Sequence, residues 1–138
     1  MDTKTQNTVA VVVGLAATTA IGAALIPLMK IVLTNTVVHA VEKRMPVNNA
    51  AIYGYEFLWA TVSAFVGGYI ACWIAVERKL YHAFVAGVFS FLILVFSATT
   101  AARNSLGSVL MALAFIPLTL MGGIVRRMIE NKKADENY

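Results

Sequence analysis

Charged residues are scarce in this chain of 138 residues, and their scarcity argues against a water-soluble fold. Only 13% of the residues are charged, whereas 59% are hydrophobic and the mean hydropathy is +0.75. A soluble domain averages about 25% charged and about 45–50% apolar residues. A small soluble domain also needs polar residues to cover its large exposed surface. The composition therefore predicts a chain surrounded by lipid.

Cysteine is nearly absent too, because Cys72 is the only one. A single thiol excludes an internal disulfide and any metal site made of several thiolates. Cys72 lies within an apolar run, where cysteine behaves as a small packing residue. His39 and His82 are the remaining candidates for a haem or metal ligand, but the topology derived below separates them by a bilayer of about 30 Å. No cofactor is therefore expected.

The apolar runs also lack a catalytic pattern. They contain no Ser/His/Asp set, no glycine-rich phosphate loop and no paired carboxylates. The adjacent Gly67 and Gly68 are interpreted as helix-packing residues and not as a nucleotide motif. The formal charge of +4 could suggest nucleic-acid binding. In a membrane protein it is better interpreted as a signal for orientation and as attraction to anionic lipid headgroups. These features predict a protein that is not an enzyme.

Four apolar runs are long enough to cross a bilayer, which takes about 20 residues of helix. None has a charge in its interior, and their continuity excludes the alternation of a membrane β-barrel. The predicted fold is all-α, a transmembrane four-helix bundle forming one integral membrane domain over residues 1–138. The spans cover about 8–29, 57–76, 80–102 and 106–125, and a polar tail follows at 126–138.

The first run could instead be a cleaved signal peptide. Its preceding segment has one lysine, Lys4, offset by Asp2. Its apolar stretch also exceeds the roughly 7–15 residues of a signal core. We therefore interpret it as a true span.

The charges are concentrated in short connections between the runs. Glu77-Arg78-Lys79 and Arg103-Asn104-Ser105 each predict a tight turn at the level of the lipid headgroups. Lys and Arg favour the cytoplasmic side, and placing both termini there (N-in/C-in) puts seven of the eleven on that side. The inner set is Lys4, Arg78, Lys79, Arg126, Arg127, Lys132 and Lys133, and the outer set is Lys30, Lys43, Arg44 and Arg103.

The first connection is long and amphipathic. Residues 31–44 place Asn35, His39 and Glu42 on one helical face. The segment is either an interfacial helix on the outer leaflet or a continuation of the first helix beyond the membrane. It is interpreted as a linker resting on lipid or, alternatively, as an outer partner site. Pro46 predicts a break after it.

Three further candidate binding residues lie at the membrane boundaries. Lys30 ends the first run and Glu56 precedes the second, so the two are expected either to pair at the mouth of the bundle or to be solvated independently. His82 lies near the inner turn. It is interpreted as an interfacial residue, with a proton-relay or quinone contact as the alternative.

Small residues at helical spacing predict where the helices touch, because close packing replaces the hydrophobic effect in lipid. These contacts are expected within one bundle or, alternatively, at a dimer seam. The basic residues at the inner boundary are expected to contact lipid headgroups or simply to retain the chain's orientation. The packing set is Gly14, Gly22, Gly67, Gly68 and Gly87, and the headgroup set is Arg78, Lys79, Arg126 and Arg127.

The segment GGYIACWIAVERKLYHAFVAG, residues 67–87, resembles a loose group of small, uncharacterised bacterial four-span integral membrane proteins. In that group a glycine-rich second helix ends in a short basic turn, and the third helix opens with a His-Ala pair, here His82-Ala83. The first connection is similarly long, and late glycines follow in the fourth helix, here Gly122-Gly123. The resemblance covers about residues 67–127. It implies a four-span bundle in a bacterial inner membrane and implies no activity.

The pattern favours a non-enzymatic membrane subunit, a helix-packing or accessory component of an oligomer or of a larger membrane complex. The alternative is a small homo-oligomeric transporter or channel for an ion or small solute, with Lys30 and Glu56 near its mouth. The lack of deep polar residues favours the subunit, because conduction usually needs polar groups along a path.

Overall fold

The computed structural model describes residues 2–44, 49–100 and 106–135, and within them it leaves out the side chains at 26, 49–53, 56, 97–100, 106–108 and 111. The described chain is helical and contains no strand. Four of its helices contain segments long and apolar enough to cross a membrane, which confirms the predicted all-α, multi-pass bundle. The helices are α1 (Thr3–Glu42), α2 (Asn49–Ile74), α3 (Lys79–Thr100) and α4 (Leu106–Asp135).

Helix α1 is longer than the predicted first span. Its 40 residues continue through Pro27 and Lys30 to Glu42. At 1.5 Å per residue the helix is about 60 Å long, whereas the hydrocarbon layer is about 30 Å thick. Of the two alternatives for residues 31–44, the continuation of the first helix is therefore the one observed up to Glu42. The predicted break at Pro46 lies outside the described residues.

Helix α4 is also longer than predicted. It continues through Pro117 and past residue 125 as far as Asp135, so most of the predicted polar tail is helical. The last ten residues of α4 include several charged side chains and bring them to one end of the bundle. The predicted turn at Arg103-Asn104-Ser105 lies outside the described residues.

The four helices pack as a rhombus in cross-section. Helix α2 contacts each of the other three, α3 contacts α1 and α4 as well, and α1 and α4 do not touch in the described chain. Helices α2 and α3 therefore share the short diagonal. The outer faces carry large apolar side chains, and Val12, Leu58, Phe96 and Leu110 are each more than half exposed. Such surfaces suit contact with lipid.

Helices α1 and α2 meet backbone to backbone at two glycines. Gly14 lies against Ala71, whose Cβ is 2.6 Å from the place that a Cβ on Gly14 would occupy. A Cβ on Gly67 would overlap the Thr18 hydroxyl oxygen. The Thr18 hydroxyl itself donates a hydrogen bond of 3.0 Å to the carbonyl of Gly14. The absence of a side chain at both glycines thus allows this close crossing.

A second close crossing joins α4 to α2 and α3. A Cβ added to Gly68 of α2 would overlap the carbonyl oxygen of Thr119 on α4. A Cβ added to Gly122 of α4 would overlap the carbonyl oxygen of Phe65 on α2. A Cβ on Gly87 of α3 would overlap the Thr119 hydroxyl. Thr119 is fully buried and therefore fills the space between the three helices.

Gly22 differs from the other predicted packing glycines. No described atom of another element lies within 4 Å of where its Cβ would be, so the predicted close contact is not made among the described residues of one chain. Beyond the crossing at Gly14, α1 and α2 diverge and leave an apolar groove of about 230 Å³ between them. The groove is lined by Leu25, Leu28, Met29 and Val32 of α1 and by Tyr55, Leu58, Trp59 and Val62 of α2.

Candidate functional site

The candidate site lies at the end of the bundle where α2 turns into α3. Helix α2 ends at Ile74 and α3 begins at Lys79, as predicted from the charged turn. Asn7 of α1 holds this turn, because its Oδ1 accepts hydrogen bonds from the backbone amides of Val76 (3.1 Å) and Glu77 (3.4 Å). The start of α1 therefore fixes the backbone that positions the turn's charges.

The chain reverses its direction between α2 and α3 at Arg78. Its φ of 45° is in the left-handed region, and its carbonyl accepts the amides of Tyr81 (2.8 Å) and His82 (3.4 Å) at the start of α3. His82 is half-buried, with Nδ1 3.2 Å from the same carbonyl and its ring edge-on to Tyr81 at 5.6 Å. His82 thus lies at the boundary turn, away from the interior of the bundle.

Glu130 connects α3 to the end of α4. Its Oε2 lies 2.6 Å from Lys79 Nζ, and its Oε1 lies 3.0 Å from a terminal nitrogen of Arg126. The Arg126 guanidinium also lies 5.7 Å from the ring centres of both Tyr69 and Trp73 on α2. Cation–π contacts of this kind add to the ion pairs. One acidic residue and one arginine thereby join three helices.

The hydrogen bond from Lys79 holds the pKa of the Glu130 carboxyl below its ordinary value, against an opposing effect of partial burial. The attraction of Lys79 and Arg126 acts in the same direction as that hydrogen bond. Glu130 lies five residues beyond the apolar run that ends at residue 125. The carboxylate is therefore ionised over a wider pH range than a solvated glutamate.

The turn and the end of α4 border an open cleft of about 500 Å³. The two basic pairs that the sequence assigned to lipid headgroups meet here, because Arg78 and Lys79 line the cleft from one side and Arg127 from the other. Arg126 lies beside it, bound to Glu130. The polar lining of the cleft consists of Arg78, Lys79, Tyr81, Arg127, Glu130 and Asn131.

The candidates at the opposite end do not form a comparable site. Lys30 is exposed, and the side chain of Glu56 lies outside the described residues, so their pairing stays a prediction. His39 is exposed in the extension of α1, with Nδ1 3.8 Å from Glu42 Oε2. The described residues contain no group of three side chains suited to a metal ion. About 48 Å of α1 separates His39 from Asn7 beside the turn, so the two histidines are far apart.

Sequence reasoning missed Asn7 and Glu130. The spacing of Arg126 and Glu130, four residues apart on one helix, is a signal for a local ion pair. The bond to Lys79 joins residues far apart in the chain and has no such signal. The role of Asn7 has no signal in the sequence either, because it depends on the antiparallel packing of α1 and α2.

The chain matches no protein-family model, no curated protein and no solved structure. Its function is accordingly inferred from its own geometry.

Proposed function

We propose that the protein is a non-enzymatic membrane subunit, a helix-packing or accessory component of a homo-oligomer or of a larger membrane complex. We place it in a bacterial inner membrane with both termini in the cytoplasm. The observation that carries the proposal is the close contact of Gly68, Thr119 and Gly87, which fills the centre of the bundle. A centre packed in this way is suited to a structural role more than to conduction.

Three buried hydroxyl groups support the same conclusion. Thr18, Ser63 and Thr119 each donate a hydrogen bond to a carbonyl of their own helix. These groups are therefore satisfied locally and do not form a polar path across the bundle. Conduction usually needs polar groups along such a path.

The extension of α1 supports assembly with a partner. About 12 residues of α1 follow Lys30, roughly 18 Å of helix at 1.5 Å per residue. Val38 and Val41 on this segment are 46% and 68% exposed. An apolar surface on a helix that projects past the first span is suited to contact with a second subunit.

The test is the mass of the particle purified in a mild detergent, measured by light scattering with correction for bound detergent and by native mass spectrometry. We expect a mass above the 14.9 kDa of one chain, from further copies or co-purifying subunits. Val38→Asp combined with Val41→Asp should reduce the assembly, because the charges make the apolar face costly to bury. Asn35→Asp, on the same exposed segment, is the matched control and should leave the mass unchanged. A wild-type monomer without any partner would contradict the proposal.

One observation favours the alternative, a small homo-oligomeric transporter or channel. The Ser90 hydroxyl is buried in α3 and has no hydrogen-bond partner among the described residues. It is therefore a polar atom at membrane depth that a solute could engage. Solute flux into proteoliposomes, lost in Ser90→Ala and altered in Glu56→Gln, would establish the transporter in place of the subunit.

A further inference from the structure

The cleft between the turn and α4 gathers more positive than negative charge. Arg78, Lys79 and Arg127 line it, against the single carboxylate of Glu130. Glu130 already bonds Lys79 and Arg126. In the described part of the chain, Arg78 and Arg127 have no such ion pair. Two guanidinium groups from different elements therefore remain to bind an anion in one cleft.

The backbone positions these cations before any ligand arrives. The bonds from Asn7 hold the turn, and the left-handed conformation of Arg78 directs the chain into α3. The ion pair between Lys79 and Glu130 fixes the distance between that turn and α4. The cleft also lies at the start of α3, where the helix dipole adds a partial positive charge. A backbone held in this way lowers the entropy lost on binding, because only the two arginine side chains need to be ordered.

The level of the cleft in the membrane indicates what the anion is attached to. Tyr81 in its lining is 59% exposed, and Trp73, whose ring lies 5.7 Å from the Arg126 guanidinium, is 61% exposed. Exposed Trp and Tyr side chains mark the headgroup level of a bilayer. Aliphatic Val76 and Leu80 complete the lining on the side of the apolar runs. A phosphate with acyl chains attached fits both the charged and the apolar parts of the cleft.

We propose that this cleft is a binding site for an anionic phospholipid, whose phosphate is held between Arg78 and Arg127. Arginine is suited to this role because its planar guanidinium can donate two parallel hydrogen bonds to a phosphate. Lys79 and Arg126 shape the site through Glu130. The site does not depend on the proposed subunit function, because a transporter with this geometry would bind the same lipid.

The test is a titration of the full chain, purified in a neutral detergent, with dioctanoyl phosphatidylglycerol, followed by native mass spectrometry. The wild type should bind this lipid more tightly than dioctanoyl phosphatidylcholine. Arg78→Asn and Arg127→Gln should each weaken binding about fivefold, as expected for one basic residue near a membrane surface. Asparagine at position 78 tolerates the left-handed backbone. The two variants change different elements, so either one tests the site if the other fails to fold.

Lys4→Gln is the matched control. Lys4 is exposed one turn before Asn7, at the same end of the bundle but outside the cleft, so its loss should leave the affinity unchanged. Equal affinities for the two lipids, or an equal loss in Lys4→Gln, would overturn the site in favour of diffuse charge attraction. Inorganic phosphate at equal concentration should not displace the bound lipid. Its displacement of the lipid would assign the cleft to a free anion and overturn the lipid assignment.

Discussion

At the scale of single residues, Glu130 has the most consequential contacts in the candidate site. It is half-buried and bonds two cations on different helices. Arg126 Nε beside it is buried without a hydrogen-bond partner among the described residues. Removal of the carboxylate would leave two partly buried cations without their ion pair.

Glu130→Gln should therefore destabilise the bundle by about 1 kcal/mol, the upper part of the range for partly screened ion pairs. Glu42→Gln is the matched control, because Glu42 faces His39 with both side chains 68% exposed. It should change the free energy of unfolding by less than about 0.5 kcal/mol. Reversible unfolding of both variants in mixed micelles would measure the two effects. Equal losses would show that Glu130 has no special role.

The difference in the free energy of unfolding between the wild type and Glu130→Gln should depend on pH in a defined direction. The pKa of Glu130 is lower in the folded state than its ordinary value. The ionised carboxylate therefore contributes fully to the free energy of unfolding at pH values above that ordinary pKa. The contribution disappears as the pH falls from there through the lowered folded pKa. The advantage of the wild type over Glu130→Gln should accordingly shrink in acid, and an advantage that grows with acidity would contradict the assignment.

At the scale of elements, helix crossings distinguish glycines that look alike in sequence. Gly67 and Gly68 lie at crossings, whereas a Cβ on Gly22 would meet no described atom of another element. The spacing of small residues along one helix predicts which face packs against a neighbour. It does not predict where along their length two helices begin to diverge. The sequence could therefore predict the packing face of α1 but not the extent of its contact.

Gly68→Ala should destabilise the bundle by about 1–3 kcal/mol, because the added methyl overlaps the carbonyl of Thr119. Gly22→Ala is the same change in open space and should be neutral or stabilising by up to about 1 kcal/mol, the helix propensity gained. Thermal unfolding in one detergent compares the two variants directly. Similar losses in both would refute the crossing at Gly68.

The length of the elements was less predictable than their number. The apolar run before Lys30 predicted a first span that ends near residue 29, and α1 itself continues to Glu42, which was one of the two alternatives for residues 31–44. Hydropathy shows where a chain leaves lipid, and a helix can continue into water. The basic pairs at 78–79 and 126–127 were predicted to lie on one side. Their convergence in one cleft depends on the packing of α3 against α4, which no local pattern encodes.

At the scale of the whole molecule, the all-helical architecture follows from the solvent. Lipid offers no hydrogen bonds to the backbone, so long apolar runs must satisfy their own amides as helices. This is why composition and run length alone could predict the bundle. The side of the membrane that each end of the bundle faces depends on the few charges outside the apolar runs. The orientation with both termini in the cytoplasm therefore remains a proposal.

Chemical labelling from one side of a sealed membrane tests the four passes most directly. Single cysteines replace Lys4, His39 and Lys133 in a Cys72→Ala background, and a membrane-impermeant maleimide is added to spheroplasts. The cysteine at position 39 should react at once, and those at 4 and 133 should react only after permeabilisation. Reaction of position 39 from the same side as position 4, or of positions 4 and 133 from opposite sides, would contradict four membrane crossings.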